Sequence, residues 1–143
     1  MKIYTATKIQ LLQFISFFVL LLFVTGNSFA ITEKELREIA NDLNRDVPSM
    51  IDRDTRLDSV QGGPGLQLTY YFTLINYSST ELSSSQKAKT KIAQKILVTN
   101  RFCSNPDMRN YFFKNKVSIR MHYGWADGGF FAEIFVHPSD CGF

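Results

Sequence analysis

Only two histidines occur in the chain, His122 and His137. With Glu133 between them in sequence, they are the side chains best suited to hold a metal or move a proton near neutral pH. Whether they can act together depends on how two strands pair. Val117 to Trp125 alternates apolar and polar residues, and Phe130 to His137 follows after Ala126-Asp127-Gly128-Gly129. A two-residue Asp-Gly turn sets Trp125 opposite Phe130, Tyr123 opposite Ala132, Met121 opposite Ile134 and Ile119 opposite Val136. In that register His122 faces Glu133, whereas His137 faces Ser118, which stands about 13 Å along the strand from His122. A slip to a Gly128-Gly129 turn brings the histidines within about 7 Å, so a zinc or copper site needs the less favoured turn. The bland reading of His122 with Glu133 is a cross-strand polar pair. The chemical alternative is a small exported hydrolase or metal-dependent enzyme using the same two residues.

Asp52, Asp54 and Asp58 have the look of calcium ligands or acid-base carboxylates. The glycine after the third ligand and the terminal glutamate of an EF-hand loop are both missing. Interleaved with Arg53 and Arg56, these acids read as a turn and strand edge with local ion pairs. The loop Gln61-Gly62-Gly63-Pro64-Gly65 reads as a hairpin connection, because no helix bearing Lys-Ser or Lys-Thr follows it. No nucleophile sits in a recognisable elbow, and no catalytic residue, metal or cofactor is assigned. Cys103 and Cys141 lack Cys-x-x-Cys spacing, which disfavours a redox or metal pair.

Those cysteines take their meaning from the front of the chain. Lys2 and Lys8 precede an apolar run from Gln10 to Thr25, and Ser28 and Ala30 supply small residues for a cut after Ala30. Residues 1–30 are therefore read as a secretory signal peptide. An uncleaved anchor is the other reading, since the run could just reach across a bilayer. No cysteine lies near the cut, so lipid attachment is not available there. The expected location is periplasmic or secreted, with membrane contact only through the leader before cleavage. Two thiols in an oxidising compartment predict one Cys103–Cys141 disulfide, worth about 4 kcal/mol on chain-entropy grounds.

Residues 31–143 carry fourteen basic and thirteen acidic residues, a net charge of +1. Residues 31–60 hold five bases and eight acids, and residues 81–120 nine bases and two acids. A dipolar exported protein of this kind is a poor partner for nucleic acid. An unknown protein or envelope component is the expected partner.

The elements that must position these groups form a single α+β domain over residues 31–143. Thr32 to Glu35 is a capping box, with Ile31 and Leu36 placed as a hydrophobic staple, and the helix it starts is stopped by Pro48. Strands are expected at Thr55 to Val60 and Leu66 to Tyr77. A second helix runs from the Ser83-Ser84-Ser85 caps to about Cys103, with Ala88, Ile92, Ile96, Thr99 and Cys103 inward and Lys87, Lys91 and Lys95 outward. A short third helix follows Asn105-Pro106-Asp107, and the second hairpin closes the chain. The expected order is α-β-β-α-α-β-β, an antiparallel β-sheet of about four strands in two hairpins packed with about three helices.

On that pattern the second sheet face carries Arg56, Asp58, Tyr71, Ile75, Tyr77, Arg120, His122, Phe131, Glu133 and Phe135. The mixture is too aromatic for an ordinary wet face and too charged for a dry core. Either a helix partly covers it or it is an interaction surface, since aromatic and arginine side chains anchor partners. The leading reading is a non-enzymatic exported protein that binds a macromolecular partner through Arg56, Asp58, Tyr71, Arg120, His122, Phe131, Glu133 and Phe135. A membrane-surface protein using the lysine helix is a third possibility.

Val47 to Ser59, Leu68 to Tyr77 and the Cys103 to Cys141 segment together resemble a family of small exported proteins of Gram-negative bacteria, of uncharacterised function. The resemblance spans most of residues 31–143 and brings no catalytic residue. It implies a periplasmic or secreted setting and a paired Cys103 and Cys141. It also draws attention to the run from Asp54 to Asp58.

Overall fold

The structure, a computed structural model, describes residues 30–143. The leader read from the sequence lies outside the described residues. The first helix, α1 (Glu33–Leu43), begins where the capping box places it. Thr32 N–H donates to Glu35 Oε2 at 2.7 Å, and Glu35 N–H donates to Thr32 Oγ1 at 3.2 Å. Ile31 and Leu36, the two halves of the staple, are both buried. A 3-10 turn, Asn44–Asp46, then leads into a cis Val47–Pro48 bond. The Asn44 side chain donates to Val60 O at 2.7 Å and accepts from Val60 N–H at 2.8 Å, tying the end of the helix to a strand.

Five strands form one sheet in the order β1-β2-β3-β4-β5. They are β1 (Ser49–Met50), β2 (Thr55–Gly63), β3 (Gln67–Leu74), β4 (Ser118–Trp125) and β5 (Phe130–Val136). The all-antiparallel expectation is corrected at the centre, where β3 and β4 run parallel with Leu68 beside Ile119 and Leu74 beside Trp125. The reason is the connection: α2 (Ser84–Ser104) is a long crossover that returns the chain to the end from which β3 started. Two hairpins form, and they meet side by side through this parallel pair. β1 is too short to show a period-two pattern, so four strands become five. The expected third helix is a single π-helical turn, Met108–Phe113, giving the order α-β-β-β-α-β-β.

The first hairpin is tighter than its glycine-rich segment suggests, because Gly63 pairs with Gln67 across a loop of Pro64, Gly65 and Leu66. β3 stops at Leu74, and Ile75 N–H turns to donate to Asp54 O at 2.9 Å. The second hairpin is wider than a two-residue turn. Trp125 N–H donates to Gly129 O at 2.7 Å and Gly128, at φ 84°, donates to Trp125 O at 3.0 Å. Asp127 holds this loop by accepting from Ser79 N–H at 2.8 Å and from Gly129 N–H at 3.0 Å. The extra loop residue is absorbed as a bulge at Phe131. Gly124 therefore pairs with Phe130, while Tyr123–Ala132, Met121–Ile134 and Ile119–Val136 keep the expected partners.

All the helices among the described residues lie on one face of the sheet. Leu68, Ile119, Met121, Ile134 and Val136 from the strands meet Leu36 and Ala40 of α1 and Phe113 of the π turn in one buried cluster. Gly62 lets α1 approach, since a Cβ there would stand 2.5 Å from the Leu36 carbonyl carbon. α2 is pinned at both ends. Lys87 donates to Ser79 O at 2.7 Å and lies over the Trp125 ring, and Cys103 is bonded to Cys141 with the Cα atoms 5.1 Å apart. This rotates α2 away from the expected orientation. Lys87, Val98 and Phe102 turn toward the sheet, and Ile92 and Ile96 stand outward at 64% and 58% exposure. The helix carries apolar residues on two sides, and its tethers decide which side is buried.

Candidate partner-binding faces

No helix among the described residues packs on the other face of the sheet. Alternation along β3, β4 and β5 puts Tyr71, His122 and Glu133 there in one row, since Tyr71 pairs with His122 and His122 with Glu133. Arg120 makes an ion pair with Glu133 Oε1, and His122 Nδ1 lies 3.3 Å from the same oxygen. The His122 ring is flanked by Tyr71 at 5.4 Å and Phe130 at 5.3 Å. Phe135 sits under the Arg120 guanidinium at 5.6 Å and stacks on His137 at 5.9 Å. Toward β2, Arg56 Nε donates to Asp58 Oδ1 at 2.5 Å, and the Thr73 hydroxyl donates to Asp58 Oδ2 at 2.6 Å.

Seven of the eight residues expected on this face are brought together there. Phe131 is the exception and a correction. The bulge swings it to the helix side, where its ring meets Trp125 at 4.4 Å, and Phe130 takes its place. Nothing in a single sequence separates an Asp-Gly turn from the wider loop that Asp127 stabilises. Ile75 and Tyr77 lie beyond the end of β3 and do not extend the row.

The electrostatics of the face are those of a fixed surface. The Arg120 guanidinium, with a smaller effect of the same sign from His122, holds the Glu133 carboxyl below its ordinary 4.5. A carboxylate shared by two donors is stabilised as an anion, the opposite of a general acid. The other candidate acids are spent on local structure. Asp52 accepts from the N–H groups of Asp54 and Thr55, both at 2.8 Å, and Asp54 accepts from Asn76 at 2.7 Å, which lowers its pKa. His137 lies 3.3 Å from the Ser118 hydroxyl, at the far end of the row from His122. Among the described residues, no group of three or more His, Cys, Asp or Glu is arranged to hold a metal ion.

A second feature escaped the sequence. Between α2 and the segment from Asp52 to Leu57, two adjoining cavities of about 510 and 340 Å³ share Asp52, Thr55 and Gln94 in their walls. Their floor is the helix-side face of β3 and β4, including Phe72, Tyr123 and Trp125. Burial pushes the Tyr70 and Tyr123 hydroxyls up to about 12. The signal for this cleft was the divided apolar surface of α2, which cannot be buried on both sides by one sheet.

No family model and no curated protein sequence matches the chain. Solved structures do match its fold. A Pseudomonas aeruginosa protein described as a candidate secreted protein superposes with a TM-score of 0.61 at 14% identity, over 76% of this chain and 91% of that one. A pilotin of the Vibrio vulnificus type 2 secretion system gives 0.58 at 12% identity, over 78% and 92% of the two chains. A pilotin of the Vibrio cholerae type II secretion system gives 0.54 at 16% identity, over 76% and 91%. At these identities the similarity is one of fold.

Proposed function

We propose that this chain is an exported, non-enzymatic binding protein of the Gram-negative envelope, and that its partner docks on the open face of the sheet. The observation that carries this reading is the row Tyr71, His122, Glu133 with Arg120, Phe130 and Phe135. It is uncovered by any described helix and held rigid by its own ion pairs and ring contacts. Charge of both signs lies around aromatic anchors, the composition of a protein-recognition surface rather than of a polyanion site. Two of the fold neighbours being type II secretion pilotins supports a partner that is a protein of an envelope secretion apparatus. The signal-like N-terminus and the disulfide fit passage into an oxidising compartment.

The hydrolase reading gains no support, because Glu133 is held as an anion between two donors. The test is affinity capture from envelope extract, using protein recovered from the periplasm of expressing cells and reading bound proteins by mass spectrometry. One dominant envelope protein, lost on Phe130→Ala and on Arg56→Ala, is the expected result. Equal capture by both variants, or capture that fails only when the variants unfold, would remove the sheet face from consideration.

A further inference from the structure

We infer that the outward side of α2 binds an anionic phospholipid surface. The proposal concerns a different face from the partner site and stands without it. On a helix of about 3.6 residues per turn, Ala88, Ile92, Ile96 and Thr99 fall on one stripe. The structure turns Ala88, Ile92 and Ile96 away from the sheet, leaving Ile92 64% and Ile96 58% exposed, whereas Thr99 is half-buried. Lys89 lies along one flank of the stripe, and Lys91 and Lys95 along the other. All three are exposed and form no ion pair among the described residues. From Leu82 to Pro106 the chain has five basic residues and no acid.

An apolar strip bordered on both sides by lysines is the pattern of a helix lying in a membrane interface. The isoleucines enter the acyl boundary, and the lysine stems extend along it to reach headgroup phosphates. The charge chooses the occupant, because Lys89, Lys91 and Lys95, with no acid between Leu82 and Pro106 to neutralise them, are complementary to an anionic leaflet. No helix among the described residues is long and apolar enough to cross a membrane, so α2 would lie on the surface. The sequence places Ile92 and Ile96 inward and offers only the lysines of this helix to a membrane surface. The observed rotation of α2 is what changes that reading. The open sheet face lies on the opposite side of the domain, so a protein seated on lipid through α2 keeps it free for a partner.

The test is flotation of the periplasmic protein with vesicles of equal parts phosphatidylglycerol and phosphatidylcholine, against pure phosphatidylcholine. Binding is expected to the anionic vesicles only, and to vanish when the Debye length is cut to about 3 Å at roughly 1 M salt. Each of Lys89→Gln and Lys95→Gln should weaken binding about fivefold, and Ile92→Ser with Ile96→Ser at least tenfold. Both isoleucines are exposed, so the circular dichroism spectrum should not change. Binding that ignores lipid charge, or that survives the isoleucine changes, would overturn the proposal. So would a dimer that dissociates on Ile96→Ser without any lipid binding, or an acidic protein captured through the same residues while vesicles are not.

Discussion

Adjacent phenylalanines provide a sharp check on the second hairpin. The bulge sends Phe131 into the helix-side layer against Trp125 at 4.4 Å, and leaves Phe130 on the open face at 60% exposure. Removing the Phe131 ring should cost about 3 kcal/mol, the low end for a buried phenylalanine because the residue is only partly buried. Removing Phe130 loses one tilted contact with His122, worth about 0.5 kcal/mol. At a urea slope of about 1.5 kcal/mol/M, Phe131→Ala lowers the unfolding midpoint by about 2 M and Phe130→Ala by less than about 0.5 M. The assay is equilibrium urea unfolding followed by tryptophan fluorescence, which Trp125 alone supplies. A Phe130→Ala loss larger than the Phe131→Ala loss would mean the strands pair without the bulge. The uncorrected two-residue turn would then stand.

Gly62→Ala should destabilise by about 1–3 kcal/mol, because its new Cβ meets the α1 backbone and no side chain can move aside; an unchanged thermal midpoint would contradict the close approach of α1. Reducing the disulfide, or Cys103→Ser with Cys141→Ser, should cost about 4 kcal/mol for a bridge with sequence separation 38, measured as urea midpoints with and without reductant. Glu133 titrates below its ordinary 4.5 when folded, so its stabilising contribution is complete above that value and is lost as pH falls through the lower folded one. Glu35, Asp54 and Asp127 are displaced the same way by the groups that donate to them. Thermal midpoints should therefore fall on acidification below about 4.5, with a shallower fall in Glu133→Gln. A midpoint that is flat with pH would contradict the pairing of Glu133 with Arg120.

Local signals were the legible ones. The capping box at Thr32, the staple of Ile31 with Leu36, and the pairing of His122 with Glu133 each depend on a few neighbouring residues and a period of two or four. What could not be read was decided across the chain. A parallel β3–β4 contact follows from where the crossover helix returns, and no residue of either strand encodes it. The rotation of α2 follows from tethers at Lys87 and Cys103 choosing between two apolar sides. Phe131 left the expected face because Asp127, with Ser79 as a distant partner, favours a loop one residue longer than its Asp-Gly dipeptide suggests. The cleft beside α2 is a consequence of that same rotation.

The open sheet face as a docking site is tested most directly by photo-crosslinking in living cells. A photo-reactive amino acid would be placed in turn at Tyr71, Phe130 and Phe135 on the face, at Gln94 and Leu97 beside the cleft, and at exposed Asp42 on α1. One adduct of common mass is expected from the three face positions and none from Asp42. An adduct confined to Gln94 and Leu97, with the face positions silent, would move the partner to the cleft and contradict the assignment.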